Sequence, residues 1–185
     1  MLIGITGLNA SGKDTAAEYL KTKGFFLFSL SDVIREECRA RGQELTRENL
    51  ISLGGALRAK HGNSYLACEA LRTIASRGVT NVVIVSIRHS EEVKELKKNP
   101  DFHLIVVESP IETRYQRVLD RGREGGQEQS FEKFKRLENN ERASINADQQ
   151  LDKVIAMADA RIDNSGSFEK LNLKLDAFID EIKKI

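Results

Sequence analysis

Short apolar runs alternate along this chain with longer amphipathic stretches. Leu2–Thr6 is apolar or small throughout, Val82–Ile87 is β-branched at every position but Ser86, and Phe102–Val107 is apolar nearly end to end. Runs of this kind predict strands buried on both faces. Phe25–Ser29, rich in aromatics, and the short Arg161–Asn164 complete five predicted strands. Between them the apolar residues recur at helical spacing. Lys13–Thr22 predicts a helix ended by Gly24. Three more follow, at about Ser31–Arg41, Thr46–Lys60 and Ser64–Ser76, punctuated by Gly42 and Gly62. Ser90–Lys98 stops before Pro100, and Pro110–Arg121 opens on a proline at the position a helix start tolerates. Arg123–Gln129 has no periodicity and predicts a mobile loop, after which Phe131–Arg142, Gln149–Met157 and Ser167–Ile185 predict helices.

Strands that alternate with helices form a mostly parallel sheet covered on both sides. The expectation is therefore an α/β fold, three layers α/β/α around a five-stranded, mostly parallel sheet. Such sheets bind ligands at the carboxyl ends of their strands. The helical block near 31–78 and the segment near 122–142 read as covers over that edge. Nothing in the sequence splits the chain, so one domain over 1–185 is expected.

Composition narrows the function mainly by exclusion. With 40% hydrophobic and 31% charged residues and a formal net charge of +1, nothing draws the whole chain toward nucleic acid or an acidic membrane. No apolar run is long enough to span a bilayer, no secretory signal pattern is visible, and a cytoplasmic protein is expected. Cys38 and Cys68 are isolated and read as free thiols; His61, His89 and His103 are too scattered for a metal site. Affinity for phosphate must come from local clusters.

One cluster follows the first strand directly. Gly7-Leu8-Asn9-Ala10-Ser11-Gly12-Lys13 has glycines where backbone N–H groups must turn toward phosphate oxygens, and the helix opened by Lys13 offers its positive end to the same anion. Gly7, Asn9, Ala10, Ser11, Gly12, Lys13, Asp14 and Thr15 are the candidate contacts to a nucleoside triphosphate, ATP. Lys13 reaches the outer phosphates, and Thr15 can donate to an inner one. Asp14 stands where a magnesium-binding hydroxyl is usual. A carboxylate is also a hard ligand for Mg2+, directly or through water; equally, it can simply complement the helix dipole. Arginines form the second set. Arg88 follows a buried strand and so lies at the sheet's ligand edge, and Arg114, Arg117 and Arg121 share one helical face.

These motifs resemble the P-loop nucleoside and nucleotide kinases, over nearly the whole chain. The resemblance is to the small (deoxy)nucleoside monophosphate kinases and to dephospho-CoA kinase. Ser29-Leu30-Ser31-Asp32-Val33-Ile34-Arg35 is similar to a strand ending in Ser-x-Gly-Asp-x-x-Arg, with Ser31 in place of the glycine. The resemblance implies that Arg35, Arg58 and Arg88 hold the acceptor and that Asp32 orients it. It also implies that Arg117 stacks on the donor base, that Arg121 meets the donor phosphates, and that 122–142 is a short lid with Arg123 at its root. Ala158-Asp159-Ala160-Arg161-Ile162-Asp163-Asn164 is similar to the closing segment of dephospho-CoA kinases, which implies that Asn164 packs beside the donor's adenine. Val85 stands where related kinases often keep a metal-positioning acid, and Asp14 is expected to replace it in part.

The expected activity is ATP- and Mg2+-dependent phosphoryl transfer to a small nucleotide, with Lys13, Arg88, Arg121 and Asp32 nearest the chemistry. For a dephospho-CoA acceptor, Asp32 would serve as base toward a ribose hydroxyl. A non-catalytic nucleotide-binding module is the other alternative; a nucleic-acid-binding P-loop protein has little support at 6% aromatic residues. Oligomeric state is not readable from the sequence.

Overall fold

A computed structural model describes residues 1–121, 130–143 and 150–184. In chain order the elements are β1 (Leu2–Thr6), α1 (Lys13–Thr22), β2 (Phe26–Ser29), α2 (Leu30–Ala40), α3 (Arg47–His61), α4 (Tyr65–Arg77) and β3 (Val82–Val85). Then follow α5 (Ser90–Leu96), β4 (Phe102–Glu108), α6 (Ile111–Asp120), α7 (Phe131–Ala143), α8 (Leu151–Ala156), β5 (Ala160–Asp163) and α9 (Phe168–Ile182). The expected mobile loop at 123–129, Arg123 with it, lies outside the described residues, as does the side chain of Arg142.

The strands form one sheet in the order β2-β3-β1-β4-β5, and each pair is parallel. Alternation along the strands sorts the core into two layers. Leu2, Ile84, Phe102 and Leu104 face α2, α3, α4 and α5, while Ile3, Ile5, Val83 and Ile105 face α1 and α9. Three layers result, as the sequence pattern requires.

β1 lies at the centre of the sheet, so the loop after it emerges mid-edge, with β3 and β2 on one side and β4 and β5 on the other. The predicted strand over Val82–Ile87 is shorter than expected and stops at Val85. Ser86 takes a left-handed φ of 64°, a conformation that ends pairing and turns the chain toward Arg88.

Candidate functional site

The loop between β1 and α1 is built on two glycines in conformations an L side chain resists. Gly7 has φ 153° and Gly12 φ 98°. A Cβ on Gly7 would stand 2.4 Å from the Val107 carbonyl, and one on Gly12 would stand 2.0 Å from Asn164 Nδ2. The glycines let the loop lie against β4 and the segment after β5.

That segment and α6 hold the loop by its carbonyls. Asn164 Nδ2 donates to Ser11 O at 2.8 Å. Arg117 Nη1 donates to Ser11 O at 3.3 Å and Ala10 O at 3.4 Å, and its Nη2 donates to Asn164 O at 2.8 Å. Ser109 Oγ lies 2.6 Å from Asn164 O and 3.2 Å from Ser11 O. Behind them Arg114 is buried, donating through Nε to Ser109 O, through Nη1 to Asn9 O, and to both carboxylate oxygens of Glu138 on α7. Carbonyls turned outward to these donors suit a loop whose N–H groups serve an anion.

The start of α1 adds to the positive field. Gly12 caps it without a side-chain hydrogen bond, so its first N–H groups take no acceptor from a capping residue. Lys13 opens the helix, and Asp14 lies beside it with Oδ2 3.8 Å from Lys13 Nζ and a side chain 68% exposed. Three buried polar atoms around the loop have no hydrogen-bond partner among the described residues: Thr6 Oγ1, Ser11 Oγ and Asn164 Oδ1.

A pocket of about 200 Å³ opens beside this helix start, lined by Gly12, Thr15, Arg117, Arg121, Asn164 and Phe168 and by one acid, Asp120. Burial, and then the charge of Arg121, lower the Arg117 pKa from its ordinary value. Two guanidinium groups that repel each other beside an open helix N-terminus form a site that an anion relieves.

Across the edge, at the ends of β2 and β3, three hydroxyls meet. Ser29 Oγ lies 2.8 Å from Ser31 Oγ and 2.9 Å from Ser86 Oγ. Arg35 Nη1 donates to Ser31 Oγ and to Asp32 Oδ1, each at 2.7 Å. Arg88, exposed, stands two residues beyond Ser86. Arg58 is placed differently. It is 7% exposed and pairs with the fully buried Glu92 at 3.0 Å, so it does not join the others as an exposed guanidinium at the edge.

Comparison with known proteins follows this geometry. Residues 3–146 match the family model described as an AAA domain, a family of P-loop kinases. The chain belongs to that family. This P-loop kinase chain is 34% identical to a UPF0200 protein of Methanocaldococcus jannaschii over 98% of its own length and 90% of the relative's. It is 35% identical to a UPF0200/UPF0201 protein of Archaeoglobus fulgidus over its whole length, but spans only 54% of that relative. Among solved structures, a Thermus thermophilus protein superposes with a TM-score of 0.65 at 23% identity, covering 98% of this chain and 97% of the other. Shikimate kinase from Bacteroides thetaiotaomicron superposes with a TM-score of 0.59 at 13% identity, covering 99% and 98%. These likenesses establish the P-loop kinase fold.

Several residues of the site carry no recognisable signal in the sequence. Phe168 is 64% exposed at the pocket, yet with Leu171 and Leu175 it falls at i, i+3 and i+7, indistinguishable in sequence from a core-facing stripe. Ser86 carries no motif, and its role in the hydroxyl cluster depends on the turn after β3. Ser109 follows β4, where only tertiary structure places it against Ser11. Glu92 closes a capping box with His89, a residue seldom read as a helix cap.

Proposed function

We propose that the chain transfers the γ-phosphoryl group of ATP to a small nucleotide, a ribo- or deoxynucleoside monophosphate. One observation carries the reading. The phosphate loop lies mid-edge with a pocket on the β4–β5 side and an Arg35–Asp32–serine cluster on the β2–β3 side. That arrangement suits two anionic ligands seated on either side of Lys13.

On the donor side, Gly7, Asn9, Ala10, Ser11 and Gly12 form the loop around the phosphates, with Lys13 and Thr15 at the helix start. Arg121 meets phosphate charge, and Arg117, Asn164 and Phe168 border the base. On the acceptor side Arg35 and Arg88 take the monophosphate, and Asp32 orients Arg35. A phosphate oxygen of the acceptor attacks the donor γ-phosphorus as the bond to the β–γ bridging oxygen breaks and ADP departs. No strong general base is needed, because that oxygen is already anionic. The protein's part is positioning and neutralisation of charge.

Mg2+, when bound, supplies charge neutralisation across the donor phosphates. Among the described residues no three His, Cys, Asp or Glu side chains gather as a metal cage. Asp14, an exposed carboxylate at the start of α1, would hold the ion directly or through water.

A ribose hydroxyl as acceptor is the second reading, favoured by Asp32, whose carboxylate is half exposed at the edge and within reach of a ligand. Asp32→Asn separates the two. It should weaken acceptor binding and leave chemistry for a monophosphate, and nearly abolish turnover for a hydroxyl. The primary test is an ADP-release assay over all ribo- and deoxynucleoside monophosphates and dephospho-CoA, with Lys13→Ala as control. Saturable release with one or more monophosphates, absent in the Lys13→Ala protein, supports the proposal. Tight ATP binding with no acceptor-dependent release refutes it in favour of a non-catalytic nucleotide-binding module.

A further inference from the structure

The turn that presents Arg88 is held by a carboxylate that water does not reach. Glu92, in the first turn of α5, is 0% exposed, and both its oxygens are engaged. Oε2 accepts the backbone N–H of Arg88 at 2.9 Å and of His89 at 3.0 Å. Oε1 accepts from Arg58 Nη2 at 3.0 Å. The Arg88 carbonyl is held in turn by the backbone N–H of Gln150 at 2.7 Å. The strained Ser86 lies two residues earlier. A non-glycine residue at positive φ persists only where its surroundings over-determine it. Here the residue after the turn is fixed at its N–H and at its carbonyl, from two different elements.

Helix capping alone does not account for this arrangement. A capping box needs one acceptor for the N-cap N–H, and an uncharged glutamine at the same position supplies it. Glu92 instead carries a full charge into the interior and requires a counter-charge 34 residues away in sequence, on α3. Buried ion pairs are weak sources of net stability compared with apolar pairs of the same shape, and their best-attested use is to fix geometry. What this pair fixes is the backbone of Arg88.

We propose that Glu92 is a positioning residue for phosphoryl transfer, and that Arg58 is its buried counter-charge rather than a group that meets the acceptor. The inference rests on the reading of Arg88 as a holder of the acceptor phosphate. Glu92 presets the path of the Arg88 main chain, so that the guanidinium reaches the acceptor without first ordering its own turn. The expected signature is a loss confined to the acceptor.

Single substitutions would strand a buried charge and can unfold the protein, so the test removes both charges at once. The Arg58→Met/Glu92→Met protein replaces the pair with apolar side chains and removes the acceptor that both N–H groups share. It should fold, with ATP affinity within about twofold of wild type. With the nucleoside monophosphate that the wild-type enzyme turns over fastest, the acceptor KM should rise about tenfold while the KM for ATP stays unchanged. Amide exchange at Arg88 and His89, followed by NMR, should accelerate at least about tenfold, because both N–H groups lose a charged acceptor. Arg88→Ala should cost far less in the double variant than in wild type, because the pair acts through Arg88.

An unchanged acceptor KM, unchanged exchange at both amides, or additive effects of the two changes would each overturn the proposal. If the wild-type enzyme turns over no acceptor, the functional reading itself fails and this inference falls with it. A wild-type enzyme that turns over a monophosphate while the neutral pair matches it sinks this inference alone.

Discussion

Replacing Gly12 by alanine tests the architecture of the phosphate loop at its tightest point. Two costs add. Gly12 sits at φ 98° and ψ 10°, where an alanine is strained by about 1–2 kcal/mol. The new Cβ would also stand 2.0 Å from Asn164 Nδ2, a separation no side chain tolerates. Asn164 must move, which breaks its 2.8 Å bond to Ser11 O and forfeits about 0.5–1.5 kcal/mol. The sum is about 1.5–3.5 kcal/mol, and for a chain of this size it should lower the melting temperature by about 3–14 °C. Affinity for a fluorescent ATP analogue should fall more than about tenfold as the strained loop shifts and the Ser11 carbonyl loses one of its three donors.

The steric part of this cost can be isolated. In an Asn164→Ala background the Cβ keeps an ordinary contact with Arg117 Nη1 at 3.8 Å in place of the clash, so Gly12→Ala should cost only the backbone component, about 1–2 kcal/mol. Thermal melts and nucleotide titrations of the four proteins read both quantities. A Gly12→Ala protein melting within about a degree of wild type, or strictly additive effects of the two substitutions, would refute the reasoning.

Three other outcomes are expected. The Tyr19 hydroxyl, donating at 2.7 Å, and then Lys23 hold the Asp176 carboxyl below its ordinary value of 3.8. A pKa lower in the folded than in the unfolded chain means that this stabilisation is complete above about pH 4 and is lost as pH falls through the folded value. The urea midpoints of wild type and Asp176→Asn should thus differ at neutral pH and converge below about pH 4; a constant gap would exclude the mechanism. Arg114→Met leaves Glu138 charged and buried, and should cost about 3–5 kcal/mol in urea unfolding, most of it recovered by adding Glu138→Leu; a loss under about 1 kcal/mol would contradict the burial of that pair. The chain contains no tryptophan, so Phe168→Trp introduces a single reporter at the pocket. Its emission should be quenched by ATP and not by inorganic tripolyphosphate; equal responses would place the base elsewhere.

The sequence carried most of the fold because its signals are local. The apolar runs at Leu2–Thr6 and Phe102–Val107 have no amphipathic reading, and Gly12-Lys13 at the start of a helix constrains what the loop before it can be. The site was less evenly legible. Gly12, Thr15, Arg117, Arg121 and Asn164 read in the sequence as candidate contacts to a donor nucleotide, and all five line one pocket. Arg58 was expected beside the acceptor and is instead buried against Glu92; in sequence a guanidinium late in an amphipathic helix reads the same in either setting. The serine cluster was hidden because its members come from three segments, one of which turns only through the left-handed conformation of Ser86. A tertiary pairing such as Asn164 Nδ2 with Ser11 O spans 153 residues, and no periodicity encodes it.

A crystal structure of the protein with a non-hydrolysable ATP analogue and its preferred monophosphate tests the central claim most directly. The account predicts the triphosphate within the loop at 7–13, the base between Arg117 and Phe168, and the acceptor phosphate against Arg35 and Arg88 on the far side of Lys13. A base seated on the β2–β3 side, or an acceptor phosphate bound away from both Arg35 and Arg88, would contradict it.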